Sequence, residues 1–253
     1  EYKKLGIKNI FTIPNFKLRK RISNSLNNAD YVGAISEFQA KKFIQEGIVE
    51  SERLLVTPMG TDIKLFKPMP KKNDKFIVIT VANDVVRKGM IYLINAFNSL
   101  SLENAELWLV GTLNNQLLKK ITKLEDNNII FGSVNEFKLP ELYSQSTIFC
   151  LPTLEDGGPM VIPQAMACGL PVISSEYSVA PDFITDGEEG FIVEPRNTKK
   201  IAEKINFFYK NPKITKEMGI KARKIIEEKG SWEIMTDKIV KFCKDKEHKK
   251  KIT

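Results

Sequence analysis

Short apolar runs alternate with amphipathic stretches along most of this chain. The runs Tyr31 to Ile35, Leu54 to Thr57, Phe76 to Ala82, Ala105 to Val110, Ile129 to Phe131, Thr147 to Leu151, Pro171 to Ser174 and Gly190 to Val193 predict strands. Several are rich in Val and Ile and apolar at successive positions, as in strands covered on both faces. Helical periodicity falls between them, over Ser36 to Glu46, Lys88 to Leu100, Asn115 to Leu124, Leu139 to Gln145, Met160 to Cys168 and Thr198 to Lys210. Two further helices, Lys213 to Glu228 and Trp232 to Lys244, close the pattern. Strand–helix alternation of this kind predicts an α/β fold: a Rossmann-like parallel sheet with helices on both faces.

The polar, proline-bearing stretch from Lys67 to Asp74 reads as a linker. It divides the chain into residues 1–66, a partial second domain with too few strands to stand alone, and 75–228, enough for a compact Rossmann-like domain. A final helix and basic tail occupy 229–253, with the helix expected to cross back to the N-terminal part.

Composition narrows the function classes. Of 253 residues, 42% are hydrophobic and 28% charged, ordinary values for a globular protein. No window is apolar enough for a membrane span, and the opening residues lack the pattern of a secretory leader. Cys150, Cys168 and Cys243 are few and widely spaced, and fit thiols in a reducing, cytoplasmic compartment. The single histidine, His248, lies in a lysine-rich tail, so no zinc site is expected and no metal ligand is assigned. The net charge of +8 gathers at Lys17, Arg19, Lys20 and Arg21 and at Lys246, Lys249, Lys250 and Lys251. A solvated basic surface accounts for it, as does peripheral contact with an anionic membrane face. Nucleic acid is the poorest partner, because no aromatic residues interleave with the basic ones.

The most informative stretch runs from Pro152 to Val172. A strand ends in Leu151, and Glu155, Asp156, Gly157, Gly158 and Pro159 follow before a helix opening near Met160 and stopping at Gly169. In an open α/β sheet the carboxyl ends of strands form the ligand crevice. A helix opening there presents unpaired N–H groups that suit phosphate. Asp156 and Gln164 stand where they can hydrogen-bond hydroxyl groups. An ordinary crossover would use the same residues, with the glycines making the turn and Asp156 favouring the helix N-terminus.

This stretch resembles the signature of retaining, family-4-type glycosyltransferases of the GT-B fold. In that family an acidic residue precedes a Glu by eight positions, before a run like Ala165-Met-Ala-Cys-Gly-Leu-Pro-Val172. Here the pair falls on Asp156 and Gln164, an amide replacing the second carboxylate. The resemblance implies that Asp156 meets hydroxyls of the transferred sugar, that the backbone at Met160 and Val161 holds the diphosphate, and that Gln164 meets the ribose. A second match is Ile79 to Gly89. The family has Gly-Arg, a short loop and Lys-Gly there, its Arg and Lys holding the leaving diphosphate. Lys88 and Gly89 are in place, Ala82 and Asn83 stand for Gly-Arg, and Arg87 is the candidate for the lost cation. Leu107 to Gly111 resembles the glycine turn beside the nucleotide, and Ile130 to Val134 the segment whose backbone reads the base. Gly187 to Val193, Ala29 to Ser36 and Thr57 to Pro68 extend the likeness over residues 29 to 242.

The implied fold is the C-terminal half of GT-B, and the implied reaction is sugar transfer from a UDP-, GDP- or ADP-sugar with retained configuration, without metal or other cofactor. Lys88 and Asp156 are the expected catalytic residues. Asn83, Arg87, Gly111, Val134, Gly157, Gly158, Pro159, Met160, Val161 and Gln164 are the expected donor-binding ones. The acceptor, a glycan or lipid-linked sugar, calls for an N-terminal domain of which residues 1–66 hold a remnant. A piece of a longer protein, half of a split enzyme with that domain on a separate chain, and a binding or regulatory module without turnover are all compatible with this, as is a GT-B epimerase.

Overall fold

The structure, a computed structural model, describes residues 24–250. Lys17, Arg19, Lys20, Arg21 and Lys251 fall outside them, as do the side chains of His248, Lys249 and Lys250. In chain order the elements are β1 (Val32–Ala34), α1 (Glu37–Gln45), β2 (Leu54–Val56), β3 (Phe76–Val81), α2 (Met90–Asn98), β4 (Ala105–Val110), α3 (Asn115–Ile121), β5 (Asn128–Gly132), α4 (Leu139–Gln145), β6 (Ile148–Leu151), α5 (Val161–Ala167), β7 (Val172–Ser175), α6 (Ala180–Phe183), β8 (Gly190–Val193), α7 (Thr198–Lys210), α8 (Pro212–Lys229) and α9 (Trp232–Lys250). All eight predicted strands are present to within a residue or two. The four-residue helix α6 escaped the pattern, being too short for one.

Six strands form one parallel sheet in the order β5-β4-β3-β6-β7-β8, and β1 pairs with β2 in a separate parallel pair. The chain therefore builds outward from β3 to β5, returns to the middle, and builds the other way from β6 to β8. Right-handed crossovers place the helices of the first run on one face and those of the second on the other. Accordingly α2 packs with α7, and α5 with α8. The central strands pay the desolvation cost of this burial with apolar side chains. All four residues of β6 are fully buried, as are Ile77, Val78 and Ile79 of β3 and Leu107 and Leu109 of β4.

Two long-range ties set the edges. Arg223 of α8 donates to the carbonyls of Ala167 (2.6 Å), Phe66 (2.7 Å) and Ile63 (3.2 Å), joining the end of α5 to the segment that enters the sheet. At the same crossing a Cβ on Gly219 would sit 2.1 Å from the Gly169 carbonyl oxygen, so the helix axis can approach the α5 stop only through glycine. The 67–74 segment has no helix or strand but is strapped to the end of α4, where Gln145 accepts from Lys72 N (2.7 Å) and donates to Pro70 O (3.0 Å). Helix α9 lies against the β1–β2 part. Tyr31 meets Phe242 edge-on with ring centroids 5.3 Å apart, and Lys246 Nζ donates to Glu52 O (2.8 Å). Among the described residues no helix is long and apolar enough to cross a membrane.

Replacing Arg223 with Ala strands three carbonyls in a crowded crossing. The expected loss is about 2 kcal/mol of unfolding free energy, read by urea denaturation. A change too small to measure would show that water serves those carbonyls equally well.

Candidate functional site

The reversal of strand order falls between β3 and β6. Their exit loops diverge at the carboxyl edge of the sheet and leave a crevice there. The β3 loop is shaped by Asp84. Its Oδ1 accepts from the N–H groups of Val86 (3.1 Å) and Arg87 (2.9 Å), while its carbonyl accepts from Lys88 N (3.1 Å). This Asx turn coils residues 85–89 before the helix begins. Gly89 closes it with φ +69°, and a Cβ there would lie 2.0 Å from the Pro152 carbonyl oxygen. The helix therefore starts at Met90 instead of at Lys88, and Lys88 lies in the loop, its side chain 13% exposed.

The β6 loop is tied to the first one. Leu154 N and Thr153 Oγ1 both donate to the Arg87 carbonyl, at 2.8 and 3.0 Å. Ser175 Oγ holds the Thr153 carbonyl (2.6 Å), and Asp156 N donates to the Tyr177 carbonyl (2.9 Å). Asp156 then faces Lys88, and the two side chains form an ion pair. Arg87 completes the group, with Nη1 3.9 Å from Asp156 Oδ1 and 3.3 Å from the Glu155 carbonyl. Gly157, Gly158 and Pro159 lead into α5. The N–H groups of Met160 and Val161 have no protein acceptor among the described residues. The expected C-terminal stop is also present: Gly169 has φ +82° and its N–H returns to Met166 O (2.9 Å).

Burial pulls the Lys88 ammonium down to about 8, and the positive charge of Arg87 adds to that, while Asp84 opposes it. The contact with the Asp156 carboxylate favours the charged form. Lys88 is thus largely protonated at neutral pH and poorly solvated, a state that gains from any further anion.

Asn83 Oδ1 accepts from Thr112 N (2.9 Å), so this side chain bridges the β3 and β4 exits. Gly111, at φ +134°, lies so close beneath that a Cβ would be 2.0 Å from the Ala82 carbonyl oxygen. Val134 is half-buried beyond β5. Gln164 is buried on α5, and its Nε2 donates to Glu136 Oε1 (3.3 Å). The structure therefore brings Lys88, Arg87 and Asp156 together, and it engages Gln164 with Glu136.

A family model described as "Glycosyl transferases group 1" matches residues 62–225, more than half of the chain and the whole of both loops. The chain belongs to the glycosyl transferases group 1 family. It is 26% identical over 223 residues to an MMP alpha-(1->4)-mannosyltransferase of Mycolicibacterium hassiacum, covering 86% of this chain and 54% of that protein. It is 27% identical over 243 residues to the capsular polysaccharide biosynthesis glycosyltransferase CapM of Staphylococcus aureus, covering 85% and 63%. The chain thus spans between half and two thirds of the length of these relatives. In fold it resembles the crystal structure of Anabaena Alr3699/HepE in complex with UDP and glucose, with a TM-score of 0.81, 23% identity, and coverage of 90% of this chain and 66% of that one.

Within this group 1 domain, a groove of about 700 Å³ lies at the opposite edge of the sheet, lined by Phe76, Asn104, Thr147, Pro171 and Tyr209. Those residues sit at or near the amino ends of strands or, for Tyr209, on α7. That edge offers neither the switch point nor the Lys88–Arg87–Asp156 cluster, so the crevice at the carboxyl edge is the candidate site. Sequence reasoning passed over Asp84, Glu136 and Tyr177. Asp84 had a local signal, an Asn-Asp pair opening a turn. The other two act through partners distant in sequence and had none.

Lys88 is expected to titrate near 8 when followed by NMR of methylated lysines. Asp156→Asn, by deleting the facing carboxylate, is expected to lower that value further. A Lys88 titrating as an ordinary surface lysine would contradict the buried cluster.

Proposed function

We propose that this chain forms the donor-binding part of a retaining, family-4-type glycosyltransferase that moves a sugar from a nucleotide-diphosphate sugar to a glycan or lipid-linked acceptor. The observation that carries the reading is the convergence of Lys88 and Arg87 with Asp156 at the switch point of the sheet, four residues ahead of the open N–H groups of α5. The Anabaena structure of the same fold, which holds UDP and glucose, and the mannosyltransferase relative support it.

The chemical difficulty in such a transfer is the charge that builds on the diphosphate as the glycosidic bond breaks. In the proposed site Lys88 and the Met160 and Val161 amides meet that charge with potential fixed before the reaction. Arg87 stands in for the Arg that the family carries at the end of this strand, where this chain has Asn83. Gly157 and Gly158 let the backbone approach the phosphates. Asp156 exchanges its ammonium partner for hydroxyls of the donor sugar, while the diphosphate takes its place against Lys88. Gln164 reaches the ribose, and the backbone near Val134 reads the base. Asn83 and Gly111 hold the β3 and β4 exits close together and so shape the nucleotide side of the crevice. No resident metal ion is required in this scheme. The acceptor binds an N-terminal domain supplied by a longer form of the chain or by a separate chain.

A second reading is a nucleotide-sugar-binding module without turnover. The Ala82–Asn83 pair in place of Gly-Arg, and Gln164 in place of Glu, favour it, since each removes a charge the family uses. Turnover with an acceptor domain supplied, or binding without it, separates the two.

Three measurements bear on the site. A thermal-shift screen of UDP-, GDP- and ADP-sugars is expected to show a concentration-dependent rise with at least one base. Lys88→Ala is expected to weaken that binding at least tenfold, roughly 1.4 kcal/mol; equal affinity for every nucleoside diphosphate would remove Lys88 from the site. Because the anion binds the ammonium form, affinity is expected to be intact below about pH 8 and to fall above it, roughly tenfold between about pH 7 and about pH 9. A flat profile over that range would place another cation on the diphosphate.

A further inference from the structure

The loop that carries Asp156 is gripped from outside its own domain. Ser36, the N-cap residue of α1 just after β1, is fully buried, and its hydroxyl works in two directions. It accepts from Gln39 N (3.1 Å), capping α1, and it donates to the carbonyl of Gly157, 121 residues away. Its neighbour Ile35 fills the space beside the next glycine, where a Cβ on Gly158 would lie 2.4 Å from Ile35 Cδ1. Gln39 fixes this corner by accepting from Ile35 N (2.9 Å). Flanking contacts reinforce the grip. Lys42 pairs with Glu155 (2.6 Å), Glu37 N donates to Asp182 (3.1 Å), and Phe38 stacks on Tyr177 with centroids 5.6 Å apart. Tyr177 in turn holds Asp156 N through its carbonyl.

We propose that Ser36 is a positioning residue for donor recognition: its hydroxyl pins the Gly157 peptide and thereby fixes where Asp156 points. This rests on the donor-site reading above. Two successive glycines give residues 155–158 wide conformational freedom, so Asp156 is only as well placed as the peptide that follows it. The exposed Lys42–Glu155 pair restrains such a loop weakly. A buried hydroxyl bonded to a carbonyl restrains it strongly, because breaking that bond leaves a polar group without a partner. Placement matters because a small displacement of a substrate-positioning group costs large factors in rate or affinity.

The test compares wild type, Ser36→Ala and Ser36→Thr by two measurements. The first is hydrogen exchange of the backbone amides over residues 153–161. The second is affinity for UDP-glucose and GDP-mannose against UDP and GDP. Ser36→Ala is expected to speed exchange in this loop at least tenfold. It is also expected to weaken the nucleotide sugar at least fivefold more than the matching nucleoside diphosphate, with the threonine hydroxyl restoring both. Unchanged exchange in the alanine variant overturns the proposal. So does faster exchange with equal weakening of sugar-bearing and sugarless nucleotides, the mark of a merely structural cap. A wild-type chain that binds none of the four overturns the donor reading itself, and the exchange measurement still decides whether Ser36 holds the loop.

Discussion

The site depends on how closely two loops from the middle of the sheet approach each other. Gly89 and the Pro152 carbonyl are so near that no side chain fits between them. The Arg87 carbonyl takes two donors from the opposite loop. That contact exists because β3 and β6 are hydrogen-bonded neighbours although 66 residues of β4, β5 and their helices intervene between Val81 and Ile148. Once they are neighbours, Lys88, next to that glycine, and Asp156, four residues past Pro152, are brought face to face.

Electrostatics then follows from burial. An ammonium and a carboxylate, each about one-eighth exposed, lose much of their hydration and depend on each other for compensation, the carboxylate drawing also on Arg87. Such a pair is a modest source of stability but a good reserve for binding. On the donor-binding reading proposed above, a diphosphate would replace the carboxylate against Lys88 without a fresh desolvation cost for the lysine, and the released carboxylate would face polar groups of the same ligand. The amides that open α5 add donors at no entropic cost, since the helix has already ordered them. These features distinguish the carboxyl edge from the groove at the other edge, whose lining is mostly apolar and where Lys71 donates to Lys75 O and Thr147 Oγ1 and Lys75 pairs with Glu106.

The β1–α1 segment and α9 belong to the same account. Helix α9 runs back from Ser231, which pairs with Thr61, and packs on Tyr31 through Phe242. The N-terminal part is thereby held against the main sheet from two sides, at α9 and at the Gly157–Gly158 loop. A binding loop that shares a hydrogen bond with another part of the chain feels any movement of that part. This makes the geometry of Asp156 a property of the whole chain and not of the six-stranded sheet alone.

The residue pattern by itself determined a good deal. Runs of Val and Ile on successive positions specify strands covered on both faces, and their alternation with amphipathic stretches specifies a parallel sheet. The turn and helix stop between Asp156 and Gly169 were legible because turn residues and helix stops act over a few positions, while Lys88-Gly89 and the Asp156 and Gln164 pair stood out by their resemblance to a family signature. Tertiary structure alone decided the rest. It set Asn83 on Thr112, Gln164 on Glu136 and Ser36 on Gly157, and it moved the start of α2 past Lys88. Each of these turns on a partner far away in the chain or on a close contact between two backbones. Local periodicity carries no information about either, since many partners would satisfy the same hydrogen-bonding group and only the packed sheet chooses among them.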